Sequence, residues 1–165
     1  GSGASAFAKP STMAVSPAGD AVMVIHAGPP GGAATLEVLS RDGLPRDSFD
    51  LPRVLRSDDD RPLVPGGLAW TEAGFAITDR LADRLLLLDE RGVLRHETGT
   101  TGTADGELWS PRGLAVREDG TVIVVDTGNH RVQGFSADDA SWHIVFSLGL
   151  ASTRKRTPGP PGICE

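Results

Sequence analysis

Residues 122–133 read Val-Ile-Val-Val-Asp-Thr-Gly-Asn-His-Arg-Val-Gln, an apolar run followed by a polar reversal and a second apolar segment. β-Branched residues favour strands, whereas Asp, Gly and Asn favour turns. The stretch therefore predicts two antiparallel strands, residues 121–125 and 131–135, joined by a tight turn. We expect the first strand to be buried on both faces because its apolar run is uninterrupted.

Two further strands are predicted on either side of this pair. Leu114–Val116 is separated from the first strand by Glu118-Asp119-Gly120, a typical turn sequence. Residues 142–146 form the next apolar segment along the chain. The whole unit is therefore predicted to be a four-stranded antiparallel meander.

Parts of this unit recur along the chain at intervals of about 50 residues, and such a period is typical of repeat architectures. The phrase Pro-x-Gly-Leu-Ala stands at residues 65–69 and 111–115, a weaker version stands at 10–14, and another copy begins at Pro160. The repeats predict three four-stranded units over residues 10–55, 65–98 and 111–149. The first strand of a further unit is predicted over residues 160–165.

The second unit contains a segment, residues 79–89, whose Leu, Ala and Arg content favours a helix. Alignment of the repeats instead places Asp79 and Arg84 opposite Asp126 and Arg131, with the same spacing in each pair. Burial between sheets overrides intrinsic propensity. We therefore predict that Leu85–Leu88 is a buried strand, and that both Asp–Arg pairs are structural turn pairs.

The third unit resembles the NHL repeat. The resemblance is carried by Pro-Arg-Gly-Leu-Ala at 111–115, by Asp-Gly at 119–120, by residues 122–133 and by the connecting phrase at 99–109. It is weaker in the first unit, where His26 replaces the Asp of the pattern and a Gly- and Pro-rich insertion covers residues 27–34. The resemblance implies an all-β fold: an NHL-type β-propeller segment of three four-stranded blades plus the first strand of a fourth, within a six-bladed ring.

The resemblance also implies a function. Similar propellers recognise protein partners, and those at the C-terminus of tripartite-motif ubiquitin ligases recruit the substrate while another domain carries out catalysis. This implies a protein-binding module with no catalytic residue of its own. Two alternatives remain open: an RNA-binding propeller, and part of a metal-dependent propeller lyase or hydrolase.

Composition bears on these alternatives. The chain has 16 basic and 22 acidic residues in 165, which gives a net charge of −6, and this charge disfavours RNA binding. One cysteine excludes an intrachain disulfide, and no apolar run is long enough to span a membrane. We therefore expect a cytoplasmic protein that requires no cofactor and binds no membrane.

Four residues are candidates for partner binding: Arg56, Arg80, Arg112 and His130. In a propeller, the segments entering each first strand and the turns joining second to third strands lie around one mouth of the channel. Arginine suits such a surface because its planar guanidinium makes paired hydrogen bonds.

Metal binding and catalysis receive no support from the sequence. The four histidines, His26, His96, His130 and His143, fall in different units without a metal-binding spacing, and the chain has no tyrosine. We predict no metal ligand among these residues. The outer blades are expected to expose apolar faces, which makes self-association a further expectation.

Overall fold

The computed structural model describes residues 9–26, 34–51, 63–137 and 142–149. These residues form three four-stranded antiparallel sheets, each with its strands in chain order, and this confirms the predicted all-β fold of three blades. Blade 1 contains β1 (Pro10–Val15), β2 (Ala21–His26), β3 (Thr35–Ser40) and β4 (Pro45–Asp50). Blade 2 contains β5 (Pro65–Thr71), β6 (Gly74–Asp79), β7 (Arg84–Leu88) and β8 (Leu94–Thr98). Blade 3 contains β9 (Pro111–Val116), β10 (Val122–Asp126), β11 (Arg131–Ala137) and β12 (Trp142–Gly149).

The first strands of the three blades lie side by side, since β5 contacts both β1 and β9. The blades therefore radiate from a shared axis, as in a β-propeller. Each first strand begins with a proline, so we call this end of the blades the proline end. The turns that join second to third strands lie there too: Arg80 N–H donates to the Val64 carbonyl, and Gly128 N–H donates to the Trp109 carbonyl. The opposite end, with the turns between first and second strands, is the hairpin end.

Two apolar clusters fill the spaces between the blades. We call the face of a blade toward its predecessor the leading face and the opposite face the trailing face. The first cluster joins the trailing face of blade 1, including Met23 and Ile25, to the leading face of blade 2, including Phe75 and Ile77. The second joins the trailing face of blade 2, including Leu85, to the leading face of blade 3.

Strand β7 shows why helix propensity is misleading in the second unit. All five residues of Arg84–Leu88 are buried. They pair with β6 in regular antiparallel register, and Leu85–Leu88 pair with β8 with a register shift between Leu87 and Leu88. Leu86 and Leu88 face blade 1, whereas Leu85 and Leu87 face blade 3. The strand prediction is confirmed, because apolar neighbours lie on both sides of the sheet.

The prediction that strand β10 is buried on both faces is wrong. Val122 and Val124 are buried against blade 2, but Val125 is 42% exposed and Ile123 is half-buried. These two side chains lie on the trailing face of blade 3, which no later blade covers among the described residues. An uninterrupted apolar run therefore indicates two faces that can be buried, and a neighbouring blade decides whether both of them are.

Several predictions fall outside the described residues. They concern the strand at 160–165, Arg56, and most of the insertion at 27–34. In the described part of the chain, no helix has the length and apolar character needed to cross a membrane.

Candidate functional site

A buried carboxylate organises the proline end of blade 3. Asp126 is fully buried and accepts hydrogen bonds from Arg131 Nε at 2.8 Å and from Asn129 Nδ2 at 2.8 Å. It also accepts one from Trp109 N–H at 2.7 Å. Because Trp109 belongs to the connection between blades 2 and 3, this carboxylate fixes that connection to the end of β10.

The Asp79–Arg84 pair has the same position in blade 2 but different partners. Arg84 Nε and Nη2 each lie 3.2 Å from Asp79 Oδ2, and Arg84 Nη1 lies 3.1 Å from Glu97. Arg131 instead donates hydrogen bonds from its two terminal nitrogens to main-chain carbonyls, from Nη1 to Thr103 and from Nη2 to Ala104 and Glu107. In blade 2 the arginine joins two strands of one sheet, whereas in blade 3 it holds the connection that leads into that sheet.

These contacts place a tryptophan on the rim of the proline end. Asp83, whose φ is +53°, accepts hydrogen bonds from Ser110 N–H and from Thr101 Oγ1, both at 2.7 Å. Gly128 packs so closely on the indole that a Cβ there would lie 2.6 Å from Trp109 Cγ. Trp109 is nevertheless 54% exposed. The backbone on both sides of the indole is held in place while much of the ring faces solvent.

The structure brings Arg80 and Arg112 together beside Gly66. A Cβ at Gly66 would lie 2.8 Å from Arg80 Cγ and 2.9 Å from Arg112 Cα, so only glycine fits there without displacement. The Arg112 carbonyl accepts a hydrogen bond from Thr78 Oγ1 at 3.2 Å. Arg112 is exposed, whereas Arg80 is half-buried and its Nε has no hydrogen-bond partner among the described residues.

His130 lies at the same end of blade 3. It follows a short 3₁₀ turn, Thr127–Asn129, adopts a left-handed conformation with φ +53°, and is exposed. The 3₁₀ turn contacts β9, the strand that carries Arg112. The role of Arg56, which lies outside the described residues, remains a prediction.

We define the proline-end surface by the exposed side chains of this region: Leu81, Trp109, Arg112 and His130, with Arg80 at its edge. Sequence reasoning missed Trp109 and Leu81. Both stand in segments with recognisable turn chemistry, but the sequence does not show on which side of the turn an apolar side chain emerges. No acidic side chain within the described ranges forms an ion pair with Arg112, in contrast to Arg84 and Arg131.

A cavity of about 640 Å³ lies at the hairpin end, opposite the predicted arginines. It is formed by the last residues of the three inner strands, among them Val15, Trp70 and Val116, and its rim carries Glu72 and Arg117. The buried atoms Trp70 Nε1 and Thr71 Oγ1 have no hydrogen-bond partner among the described residues. This cavity therefore lies where the three inner strands end at the hairpin end.

Three carboxylates in turns at the hairpin end have lowered pKa values. The Ser16 hydroxyl lowers the pKa of Asp20, and the backbone N–H groups of Val93 and Thr121 lower those of Asp89 and Asp119. Each acts within a turn that closes a pair of strands. Their hydrogen bonds stabilise turns and provide no reactive group.

Metal ligation finds no support in the geometry of the described segments. No group of three or more His, Cys, Asp or Glu side chains there is arranged to hold a metal ion. His26 instead hydrogen-bonds Glu37 at 3.2 Å on the leading face of blade 1.

Sequence comparison identifies one of the repeats. Residues 108–135, from the end of the blade 2–3 connection to β11, match the family model of the NHL repeat. Among curated proteins, none matches the chain in sequence.

Structural comparison supports the propeller fold. A protein of unknown function from Bacteroides caccae superposes with a TM-score of 0.65 at 14% identity, covering 86% of this chain and 46% of its own. Catalytically inactive virginiamycin B lyase from Staphylococcus aureus with quinupristin has a TM-score of 0.56 at 16% identity, covering 82% and 40%. The selenomethionine form of that lyase has a TM-score of 0.55 at 18% identity, with the same coverage. The chain spans less than half of the length of these proteins, and identities this low indicate a shared fold only.

Proposed function

We propose that this chain, a segment of an NHL-type β-propeller, is a protein-binding module that contacts its partner through the proline-end surface. The observation that carries the proposal is the exposed indole of Trp109, three residues before the exposed Arg112, for which the described residues provide no acidic partner. Tryptophan and arginine are among the residues most enriched at the energetic centres of protein interfaces.

The surface is ordered before any partner binds. Trp109 N–H is held by Asp126, Ser110 N–H by Asp83, and the Arg112 carbonyl by Thr78. Binding to such a surface loses little backbone entropy, because the backbone that carries the contacting side chains is already fixed.

The charges of the surface indicate the chemistry of the partner. Arg112 and the half-buried Arg80 are hydrogen-bond donors, and Arg80 Nε finds no acceptor in the described structure. Guanidinium groups pair best with carboxylates and other oxygen acceptors. We therefore expect the partner to present an acidic loop with an apolar or aromatic side chain that contacts the indole.

Affinity capture from cells with a tagged protein tests this proposal. The Trp109→Ala/Arg112→Ala double variant is expected to lose the proteins retained by the wild type, and purified candidates are expected to bind it at least about tenfold more weakly. The matched control is Arg91→Ala/Val93→Ala, which removes an arginine and an exposed apolar side chain at the hairpin end of blade 2.

Circular dichroism establishes that both variants remain folded. Retention of every captured protein by the Trp109→Ala/Arg112→Ala variant contradicts the proposal. Loss of the same proteins from the Arg91→Ala/Val93→Ala variant instead assigns binding to the hairpin end.

The finer form of this proposal is that the module recruits substrates for a tripartite-motif ubiquitin ligase. Its support is the resemblance of the third repeat to the propeller of those ligases, together with the NHL match over residues 108–135. The test is a ubiquitination assay on the parent protein isolated from cells, with a zinc chelator as the control. Absence of ligase activity contradicts this finer form. It does not affect the proposal of partner binding by the proline-end surface, which affinity capture tests separately.

A further inference from the structure

Arg80 and Arg112 differ from Arg84 and Arg131 because their guanidinium groups have no acceptor. Arg84 and Arg131 each donate hydrogen bonds to an aspartate and to at least one further oxygen group. Among the described residues, neither Arg80 nor Arg112 makes a side-chain hydrogen bond or an ion pair. The Nε atom of Arg80 is buried all the same. Burying a charged donor without an acceptor is unfavourable, and an oxygen-rich ligand would relieve that cost.

The contact between blades 2 and 3 brings the two arginines together. Gly66 and Arg112 are the second residues of β5 and β9, which are equivalent strands of the two blades and contact each other. Because blade 2 has a glycine at this position, the Arg80 side chain packs where a larger residue would project. A Cβ at Gly66 would lie 2.8 Å from Arg80 Cγ and 2.9 Å from Arg112 Cα. The two side chains therefore start on either side of one glycine, at an interface whose two blades are both described.

Three carboxylates at the same end of the blades are already occupied. Asp79, Asp83 and Asp126 are 1%, 7% and 0% exposed. Each accepts a hydrogen bond from a backbone N–H of the segment that enters a first strand. Asp79 and Asp126 are in addition paired with the arginine of their own turn. None of the three forms an ion pair with Arg80 or Arg112, so both positive charges remain for a ligand.

We infer that Arg80 and Arg112 together bind the phosphate group of a phosphoserine or phosphothreonine in the partner protein. The inference rests on the proposed function, because both arginines belong to the proline-end surface, and it adds that the partner is recognised in its phosphorylated form. A carboxylate has two oxygens and one charge, which a single guanidinium satisfies in a bidentate pair. A phosphate monoester has three terminal oxygens and a charge of about −1.5 to −2 at pH 7, so it accepts hydrogen bonds from two guanidinium groups at once.

Apolar side chains beside the two arginines favour a phosphorylated protein over a free phosphate ion or a nucleic acid. Leu81 directly follows Arg80 in the chain and is 45% exposed. Trp109 lies three residues before Arg112 and is 54% exposed. These side chains offer apolar contacts to the residues next to a phosphorylated one, which a free phosphate ion does not have. A nucleic acid presents many phosphates in a row, and the net charge of −6 repels such a polymer.

A peptide array followed by fluorescence anisotropy tests the inference. The array carries matched peptides whose central residue is phosphoserine, phosphothreonine, serine or glutamate, with apolar or acidic residues at the flanking positions. The wild type is expected to bind the phosphorylated member of a set at least about tenfold more tightly than the serine and glutamate members. Absence of this preference in every set overturns the inference. Tighter binding of a single-stranded RNA oligonucleotide than of any phosphopeptide overturns it as well.

Matched variants test the two arginines on the phosphopeptide that binds most tightly. Arg80→Gln and Arg112→Gln are each expected to weaken binding at least about tenfold, since either change removes one of the two guanidinium partners. Glutamine keeps the methylene groups that pack beside Gly66, so both variants are expected to fold, which circular dichroism verifies. The control is Arg91→Gln, because Arg91 is exposed in a hairpin-end turn and has no ion pair among the described residues. It is expected to bind as the wild type does.

Two results with these variants contradict the inference. Equal weakening in all three would mean that the net charge of the protein attracts the peptide and that no particular arginine binds it. Unchanged binding by Arg80→Gln and Arg112→Gln would mean that the phosphate binds elsewhere on the chain. Either result overturns the inference.

Phosphatase treatment separates this inference from the proposed function. The affinity capture is repeated on a cell lysate treated with a protein phosphatase, and the proteins whose retention depends on Trp109 and Arg112 are expected to be lost. If they are retained equally with and without the phosphatase, partner binding by the proline-end surface stands and the phosphate inference is overturned. If no retained protein depends on Trp109 and Arg112 in either lysate, the proposed function fails, and the inference that rests on it fails with it.

Discussion

The trailing faces of blades 2 and 3 are built at the same register positions but have different surroundings. Leu85 of blade 2 is fully buried, whereas Val132, at the same position in blade 3, is half-buried. Both residues follow an Asp–Arg pair of the same spacing. The difference teaches that burial in this repeat is a property of the interface between blades and that one blade alone does not determine it.

Hydrogen bonds between blades also depend on whether a neighbouring blade is present. Thr78 Oγ1 accepts a hydrogen bond from Gly67 N–H at 2.7 Å and donates one to the Arg112 carbonyl, so it ties blade 2 to blade 3. Val125 takes its place in blade 3 and offers no hydroxyl. The interface between blades 2 and 3 therefore contains a side-chain hydrogen bond at this position, whereas the trailing face of blade 3 has an apolar side chain there.

The largest expected effect comes from removing the carboxylate that holds the connection between blades 2 and 3. Asp126→Ala removes the carboxylate that pairs with Arg131 and holds Trp109 N–H, and the change is expected to lower the free energy of unfolding by about 3–5 kcal/mol. Chemical denaturation measures this loss. The matched control is Asp105→Ala, since Asp105 also pairs with Arg131 but is largely exposed; its loss is expected to be at most about 1 kcal/mol. Equal losses would refute the role assigned to Asp126.

The comparison itself is tested by the same truncation on both faces. Leu85→Ala is expected to lower the free energy of unfolding by about 2–5 kcal/mol, because it leaves a cavity between blades 2 and 3. Val132→Ala on the trailing face of blade 3, which no blade covers in the part of the chain that the structure describes, is expected to lower it by at most about 1 kcal/mol. Denaturation at low protein concentration measures both values, so that self-association does not contribute. Losses of similar size would show that blade 3 is covered in the isolated chain.

Much of the fold was predictable because the repeat combines local and periodic signals. The Asp-Gly turn before β10 and the strand pairs on both sides of Asp126 depend on short-range chemistry. The strand at Leu85–Leu88 needed the alignment to Arg131, because its composition alone favours a helix.

The candidate site was predictable only in part, since its surface depends on side-chain direction. The alignment indicated that Arg80 and Arg112 share one end of the blades, and Gly66 brings them into proximity. It did not indicate that Trp109 projects into solvent, because that depends on Gly128 packing against the ring and on Asp126 holding the backbone. Nor did it indicate the exposure of Val125, because no sequence within blade 3 specifies what covers it.

A smaller effect is expected from exchanging the equivalent residues Thr78 of blade 2 and Val125 of blade 3. Thr78→Val gives blade 2 the residue of blade 3 and leaves Gly67 N–H and the Arg112 carbonyl without this partner. It is expected to lower the free energy of unfolding by about 1–3 kcal/mol. The reciprocal change, Val125→Thr, is expected to alter it by less than about 0.5 kcal/mol. Chemical denaturation of the two variants and the wild type measures both. If both exchanges lowered the free energy of unfolding equally, the Thr78 hydrogen bonds would not stabilise the interface between blades 2 and 3.

The smallest expected effect concerns a feature that does not depend on neighbouring blades. Asp89 in blade 2 and Asp119 in blade 3 both lie in hairpin-end turns, and backbone N–H groups lower the pKa of each below 3.8 in the folded chain. A lowered pKa stabilises the fold above the unfolded value of 3.8, and this stabilisation is lost as the pH falls through the folded value. The Asp89→Asn and Asp119→Asn variants are therefore each expected to melt at a lower Tm than the wild type at pH 7. The Tm difference is expected to shrink as the pH falls below 3.8, by a similar amount in both variants. Thermal melts followed by circular dichroism from pH 7 to about pH 2.5 measure this convergence. A Tm difference confined to Asp89→Asn would mean that even these turns depend on a neighbouring blade, and the contrast between blades 2 and 3 would then extend beyond their faces.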